Sequence, residues 1–442
     1  MANIGFISLG CAKNQVDCER MMYRVQQAGF TVQPEVVGSD VVVINTCGFI
    51  DSAKSEAIDH ILQMGQLKDK GLIGKILVTG CLSQRYQREI LEELPEVDGV
   101  LGTGSYTQIV PAVERLLNGE AVEDFGSIDA PEEETGRILT TPEHYAYIKI
   151  AEGCDNRCAY CIIPYLRGKF RSRTMDDVLY EARLLADSGV KELIVVAQDT
   201  SRYGTDLPGH KQLLPELLRR LCKIEGFRWI RIHYVYPDEI SDELIDVIAS
   251  EDKIVKYLDI PIQHCNDKIL KLMNRRGDGV FLRELFTKLR NRIPGLVLRT
   301  SVITGLPGEG EEEFDELCEF LKELRLERVG AFPFSPEEGT PAAQMEFPDT
   351  DIAQKRAQIV ETIQSRIMDD YNESMIGKTL TVLVDGFDES FEQFYGRTFA
   401  DSPEIDGRVW IAAEEALAEG EFVKVCIDGL IDGDLSGYLV EE

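Results

Sequence analysis

The chain has 442 residues, 44% of them hydrophobic and 28% charged, an ordinary globular composition that excludes a disordered, collagenous or fibrous chain. The length predicts about three domains, each able to bury a core without disulfide staples, and no apolar run reaches the roughly 18 residues of a membrane span. With 47 basic and 78 acidic residues the formal net charge is −31, which repels polyphosphate unless basic patches are segregated and makes basic macromolecules the natural large partners.

In chain order, residues 3–9 read as a short strand, 15–28 as a helix, 41–45 as a second strand, 50–66 as a helix and 75–79 as a third strand, with Ser83 opening another helix. Strand–helix alternation at this spacing predicts parallel strands with helices on both faces, so residues 1–138 form a small doubly wound domain. Residues 126–143 are acidic and rich in Pro and Thr, with Glu132-Glu133-Glu134 inside, and read as a linker. A second series of apolar runs follows at 145–150, 193–197, 229–235, 255–260, 296–303 and 328–334, with helical patterns between them. Six β–α units predict a partial (βα)6 barrel, three-quarters of the eight-unit form, within residues 139–375. A long helical pattern covers 351–374. After Gly377, short strands at 379–384, 394–398, 409–411 and 421–427 predict a small antiparallel barrel of the oligonucleotide-binding type over 376–442. The fold class is therefore α/β with an appended β-barrel.

The start shows no secretory leader pattern. The 11 cysteines are too sparse for a disulfide scaffold, so the expected compartment is the cytoplasm, where thiols stay reduced. Gly153-Cys154-Asp155-Asn156-Arg157-Cys158-Ala159-Tyr160-Cys161 is the strongest local signal. It follows the first barrel strand, at the mouth where barrel sites are built. Three thiolates on one tight loop can hold three corners of an iron–sulfur cube and leave one iron open. The competing reading is a zinc knot, which would want four protein ligands in paired spacings. Cys11, Cys47 and Cys81 are distant in sequence but each follows directly on a predicted strand, so three more thiolates converge on one sheet edge. Gly10, Gly48 and Gly80 beside them leave room for a bulky inorganic ligand. Core packing is the competing reading of these cysteines. Cys18, Cys222, Cys265, Cys318 and Cys426 share no spacing and read as structural.

The Cys-x3-Cys-x-aromatic-Cys run resembles the signature of the radical S-adenosylmethionine enzymes. That resemblance implies that the open iron chelates S-adenosylmethionine, whose reductive cleavage yields a 5′-deoxyadenosyl radical. It places Tyr160 near the adenine, against a plain loop-packing role. The whole layout is similar to the methylthiotransferase family, with Ser8-Leu9-Gly10-Cys11-Ala12-Lys13-Asn14, Ile44-Asn45-Thr46-Cys47 and Val78-Thr79-Gly80-Cys81 in register. The resemblance implies two 4Fe-4S clusters, S-adenosylmethionine as radical source and methyl donor, a C-terminal TRAM domain, and a reductant of the flavodoxin or ferredoxin type. By the same analogy Gly305 and Gly308 in Gly305-Leu306-Pro307-Gly308-Glu309 help hold the cofactor; a tight turn is the alternative. His264 at a barrel-strand end either bonds cofactor or substrate or caps its loop. Arg171 and Arg173 are candidates for a carboxylate partner, or else surface charges.

One branch of the family modifies a transfer RNA adenosine beside the anticodon. The other modifies an aspartate in small-subunit ribosomal protein number twelve. Residues 378–442 hold 16 acidic and 4 basic side chains, which repel RNA and attract a basic protein. The words Arg167-Gly168-Lys169-Phe170-Arg171-Ser172-Arg173, Ala197-Gln198-Asp199-Thr200-Ser201-Arg202-Tyr203-Gly204 and Ile232-His233-Tyr234-Val235-Tyr236-Pro237 also look like the protein-modifying branch. The expectation is methylthio transfer to the aspartate β-carbon of the ribosomal protein by a monomer that binds neither membrane nor nucleic acid. The transfer RNA reaction is the alternative, and a non-catalytic iron–sulfur electron carrier ranks below it.

Overall fold

Val41-Val42-Val43-Ile44 and Ile76-Leu77-Val78 are continuous apolar runs, the pattern of strands buried on both faces of a parallel sheet. In the computed structural model, which describes residues 1–131 and 135–440, they form the centre of a six-stranded sheet. Its strands are β1 (Asn3–Ser8), β2 (Thr31–Gln33), β3 (Val41–Thr46), β4 (Lys75–Gly80), β5 (Gly99–Leu101) and β6 (Val122–Asp124). All pair in parallel, in the order β2-β1-β3-β4-β5-β6. Alternate side chains feed two cores. Val42, Ile44, Ile76 and Val78 pack with Ala57 and Ile61 of helix α2 (Asp51–Asp69), whereas Val41, Val43 and Leu77 pack with Met21 and Val25 of helix α1 (Ala12–Gln27). The sheet is doubly wound, and its order reverses between β1 and β3, the crevice where such sheets bind ligands. Glu132, Glu133 and Glu134 of the acidic linker lie outside the described residues.

The barrel strands are β7 (Tyr145–Lys149), β8 (Glu192–Val196), β9 (Trp229–His233), β10 (Tyr257–Asp259), β11 (Val297–Thr304) and β12 (Arg328–Pro333). They pair in parallel within two sets of three, and a parallel bridge between Ile230 and Ile254 joins the sets. Among the described residues no pairing joins β7 to β12, so the barrel is open on that side. Helix Thr350–Glu373 leads to a closed five-stranded barrel of β13 (Thr379–Asp388), β14 (Gln393–Arg397), β15 (Val409–Ala412), β16 (Phe422–Ile431) and β17 (Asp434–Leu439). Four of its pairings are antiparallel; β15 and β17 close the ring in parallel.

The C-terminal barrel is seated on the central one by its 399–406 loop. Arg231 donates to the Phe399 carbonyl at 3.0 Å, Arg328 pairs with Asp401 at 3.0 Å, and the Tyr257 hydroxyl donates to Asp406 at 2.7 Å. Arg397 bridges Glu192 of β8 (2.7 Å) and Asp385 of β13 (2.8 Å). Among the described residues no helix is long and apolar enough to cross a membrane.

Candidate active site

Cys11 is the N-cap of α1, Cys47 follows β3, and Cys81 opens helix α3 (Cys81–Tyr86) at the end of β4. The parallel register thus delivers all three thiols to one edge of the sheet. Asn14, fully buried, clips that edge together. Its amide donates to the carbonyls of Leu9 (3.1 Å) and Thr46 (3.0 Å), and Asn45 donates to its carbonyl at 2.6 Å. Gly10 has φ +91°, and a Cβ there would lie 2.7 Å from the Cys47 Cβ and 3.2 Å from its Sγ. At Gly48 and Gly80 the expected spare room is instead filled by backbone. A Cβ would meet Leu82 Cα at 2.8 Å in one case and the Thr46 carbonyl at 2.3 Å in the other, so these glycines serve close chain approach.

The second trio sits on the loop after β7. Gly153 has φ +77°, and a Cβ there would come within 2.1 Å of the Lys169 carbonyl, so only glycine fits. The loop is pinned by backbone bonds from Cys154 to Gly168 (3.1 Å), Ala159 to Met273 (2.9 Å) and Cys161 to Cys158 (3.0 Å). Arg275 donates to the Tyr160 hydroxyl at 3.0 Å and to the Pro261 carbonyl at 2.6 Å, and lies over the Tyr236 ring at 4.4 Å. Tyr160 is thereby held in the cavity wall, with Ile269, Met273 and Leu306 packed around it.

All six cysteines line one cavity of ≈ 410 Å³ at the carboxyl ends of both sheets. Among the described residues its wall carries four cations, Lys13, Arg167, Arg275 and Arg299, and no carboxylate, in a chain of net charge −31. Arg167 is buried and accepted by Asp17 at 2.5 Å and Glu152 at 3.0 Å; Lys149 meets the same two carboxylates at 2.5 and 2.8 Å. Burial alone would push the Glu152 carboxyl up, but Lys149 and Arg167 outweigh it and hold it well below the usual carboxylate range. At Cys11 burial is likewise outweighed, here by Lys13, Arg167 and two backbone N–H groups, so its thiol lies below its ordinary value. Burial pushes the Cys154 thiol up to about 11 and the Cys47 thiol up to about 12, so metal ligation there releases protons.

The donors fit iron–sulfur clusters. They are two thiol trios facing a shared space, with cations to balance anionic clusters and a cradle at Gly10 that a side chain would fill. Among the described residues no three Cys, His, Asp or Glu side chains converge closely enough for a single metal ion, which a zinc knot requires.

Other expectations are relocated. Arg173 is buried, pairs with Glu181 at 2.7 Å and donates to the Lys149 carbonyl at 2.7 Å; its carboxylate partner is internal. Arg171 donates to the Lys169 carbonyl at 2.6 Å and lies 3.7 Å from Asp129, away from the six-cysteine cavity. His264 accepts from the Asn266 N–H at 3.0 Å and caps its own loop, its other ring nitrogen 3.5 Å from Glu309; its neighbour Gln263 faces the cavity instead. Gly305 has φ +75° and sits where a Cβ would strike Ala353 at 2.4 Å, while a Cβ on Gly308 would strike Leu272 at 2.6 Å. Both glycines make a packed turn outside the cavity wall. Cys265 and Cys318 lie in the barrel core, and Cys18 is buried with its thiol pushed up to about 12. Lys13, Asn14, Arg167, Arg275 and Arg299 carry no site role in the sequence reading. The one available signal for the first two is that they stand within four residues of Cys11.

The sequence matches the Radical SAM superfamily over residues 148–321, the TRAM domain over 376–440, and the Uncharacterized protein family UPF0004 over 3–102. It is 46% identical over 439 residues to the ribosomal protein uS12 methylthiotransferase RimO of Thermoanaerobacter sp. (strain X514), covering 99% of this chain and 100% of that protein. The enzyme of the same description from Clostridioides difficile (strain 630) is 44% identical, with all of both chains covered. Among solved structures, the radical S-adenosylmethionine methyltransferase TsrM from Kitasatospora setae aligns with a TM-score of 0.56 at 13% identity, over 77% of each chain, a likeness of fold. Full-length identity at this level, together with the two cysteine trios in one cavity, leads to one conclusion: the chain belongs to the family of radical S-adenosylmethionine methylthiotransferases.

Proposed function

We propose that the chain adds a methylthio group to the β-carbon of an aspartate in ribosomal protein uS12. Its working parts are an N-terminal unit to about residue 138, a radical barrel to about 375 and a TRAM domain beyond. The observation that supports this reading is the cavity lined by both cysteine trios, since clusters held there would bring radical generation and sulfur delivery within reach of one substrate carbon. Cys154, Cys158 and Cys161 would hold one 4Fe-4S cluster, and Cys11, Cys47 and Cys81 the other. When bound, these clusters and S-adenosylmethionine supply a carbon-centred radical, a sulfur atom and a methyl group, chemistry that no side-chain base offers at an unactivated C–H bond.

The protein's own residues orient and exclude. Arg275 fixes Tyr160 and donates toward the Cys158 sulfur at 3.6 Å, and the Tyr236 hydroxyl lies 3.5 Å from the same sulfur. Hydrogen bonds to ligating sulfurs tune a cluster's potential. Ile163, Val235, Phe332 and Ile405 supply apolar wall and limit water at the reacting carbon. Ile405 comes from the seated TRAM loop, so the C-terminal domain completes the chamber. The test is mass spectrometry of uS12 after incubation with the reconstituted chain, S-adenosylmethionine and a low-potential reductant. A methylthio mass increment on one aspartate supports the reading. Unmodified uS12 with methylthiolated adenosine in transfer RNA overturns it.

A further inference from the structure

Of the four cations on the cavity wall, three are committed. Arg167 is held by Asp17 and Glu152, Arg275 by the Tyr160 hydroxyl and the Pro261 carbonyl, and Arg299 by Asp259 at 2.6 Å. Lys13 differs. Its ammonium lies 4.9 Å from the centre of the Tyr234 ring, and no carboxylate or carbonyl among the described residues accepts from it. It is only half-buried, so it opens on the cavity. Its place in α1 is also unfavourable. It stands in the first turn, where the helix dipole disfavours a cation, and no acidic residue shares that turn. A local rule broken at a cavity wall points to use of the group rather than to stability.

We infer that Lys13 receives the side-chain carboxylate of the substrate aspartate, which makes it the residue that distinguishes aspartate from asparagine. The inference rests on the proposed aspartate substrate. A carboxylate entering this cavity leaves water, and that is unfavourable unless a charge-assisted hydrogen bond replaces the hydration. Among the described residues Lys13 is the lining cation whose ammonium no carboxylate or carbonyl accepts from, so its donors can make that bond. The Tyr234 face holds the ammonium by a cation–π contact without using its donors, so they remain available. Lys13 is two residues from Cys11 and both line the cavity, so the carboxylate bound there sets the β-carbon beside the N-terminal trio.

The test compares binding of uS12 and of its target Asp→Asn variant to the full chain, carrying both clusters and S-adenosylmethionine, by fluorescence anisotropy. Wild type is expected to prefer the aspartate form by about tenfold or more, the worth of one charge-assisted bond. Lys13→Gln should bring that ratio close to one, and Lys13→Arg should restore part of it. Iron content is measured on each variant, so a collapsed site is not read as lost recognition. A Lys13→Gln chain of normal iron content that keeps the wild-type ratio overturns the inference. So does one whose S-adenosylmethionine affinity falls while the ratio stays, since the cation then serves the cofactor. If wild type binds neither form of uS12, the functional reading falls and this inference with it, a result distinct from either.

Discussion

Asn14 and Arg167 show what a buried polar side chain does behind a cluster site. Asn14 ties the ends of β1 and β3, and its side-chain oxygen accepts from Arg167, which reaches across from the barrel. Arg167 and Lys149 together face Asp17 and Glu152, so the two domains meet through a four-membered charge network with almost no solvent contact. Removing one member of such a set leaves an uncompensated charge, at about 3–5 kcal/mol. Arg167→Met is therefore expected to lower the unfolding free energy by an amount in that range, measured by chemical unfolding of the metal-free chain. The cysteines themselves divide by trio. Cys47→Ala is expected to reduce iron and acid-labile sulfide from about eight of each per chain to about four, and to abolish sulfur transfer while retaining reductant-dependent cleavage of S-adenosylmethionine. Retention of both metal centres would falsify the assignment of the second trio. The six cysteines were legible because spacing and strand-end position are written in one dimension. Lys13 and Arg167 stand inside words the sequence singled out, but their place on the cavity wall was not legible, because neighbours in sequence do not tell a cation facing a cavity from one facing solvent. Arg173 was legible as a carboxylate binder, but its partner Glu181 lies eight residues on, across the start of a helix.

That helix, Met175–Asp187, is the element that clamps the N-terminal domain to the barrel. It begins at Thr174, whose hydroxyl accepts the Asp177 N–H, with Asp176 and Asp177 in its first turn. Glu181, in the second turn, lies 2.7 Å from Arg173, 3.1 Å from Arg137 of the linker and 3.5 Å from Arg20 of α1. Burial alone would raise its carboxyl, yet Arg137, Arg173 and Arg20 together hold it down at about 2. A carboxyl depressed in the folded state stabilises fully above its unfolded value and loses that contribution as pH falls through the folded one. The clamp is thus intact above about pH 4.5 and fails toward pH 2. At neutral pH it is worth on the order of 3 kcal/mol. Glu181→Gln is expected to cost about that much at pH 7 and progressively less below pH 4.5, read as converging unfolding midpoints. Parallel curves across that range would remove Glu181 from the account. At this scale the long apolar strands were legible from their runs of Val, Ile and Leu. The three-residue strands β2, β5 and β6 of the N-terminal sheet were not, since three residues carry no period and their pairing is settled by neighbouring strands, whereas the equally short β10 sits inside the longer apolar run 255–260. Helix α1 begins at Ala12 rather than at 15 because Cys11 itself is the cap, a place usually held by Ser, Thr, Asp or Asn.

The charge of the C-terminal domain divides by direction. Asp385, Asp401 and Asp406 turn inward, onto Arg397, Arg328 and Tyr257, and so serve to seat the domain, whereas Glu404 accepts from the Tyr145 hydroxyl at 3.3 Å while staying exposed. The exposed set includes Glu389, Glu392, Glu414, Glu415, Glu419 and Asp428. The count of 16 acidic residues therefore overstates what a basic partner meets, a distinction that a sequence count cannot make. The two sets should respond oppositely to salt and to mutation. Surface charge acts across water and is screened beyond about 8 Å at physiological ionic strength, whereas pairs such as Arg397–Glu192, with both side chains almost wholly buried, are screened little. Joint replacement of Glu414 and Glu415 by Gln is expected to weaken uS12 binding severalfold at low salt, to flatten its salt dependence, and to leave limited proteolysis unchanged. Arg397→Met should do the reverse. It removes the shared partner of Glu192 and Asp385, loosens the seat, and exposes the 374–378 connection to protease while the salt dependence persists. Because Ile405 of the seating loop is part of the cavity wall, the loosened chain should also release more deoxyadenosine per methylthio group formed, as water and stray hydrogen donors reach the radical. If the Glu414/Glu415 pair changes proteolysis and Arg397→Met changes only affinity, inward and outward charge have been assigned the wrong way round.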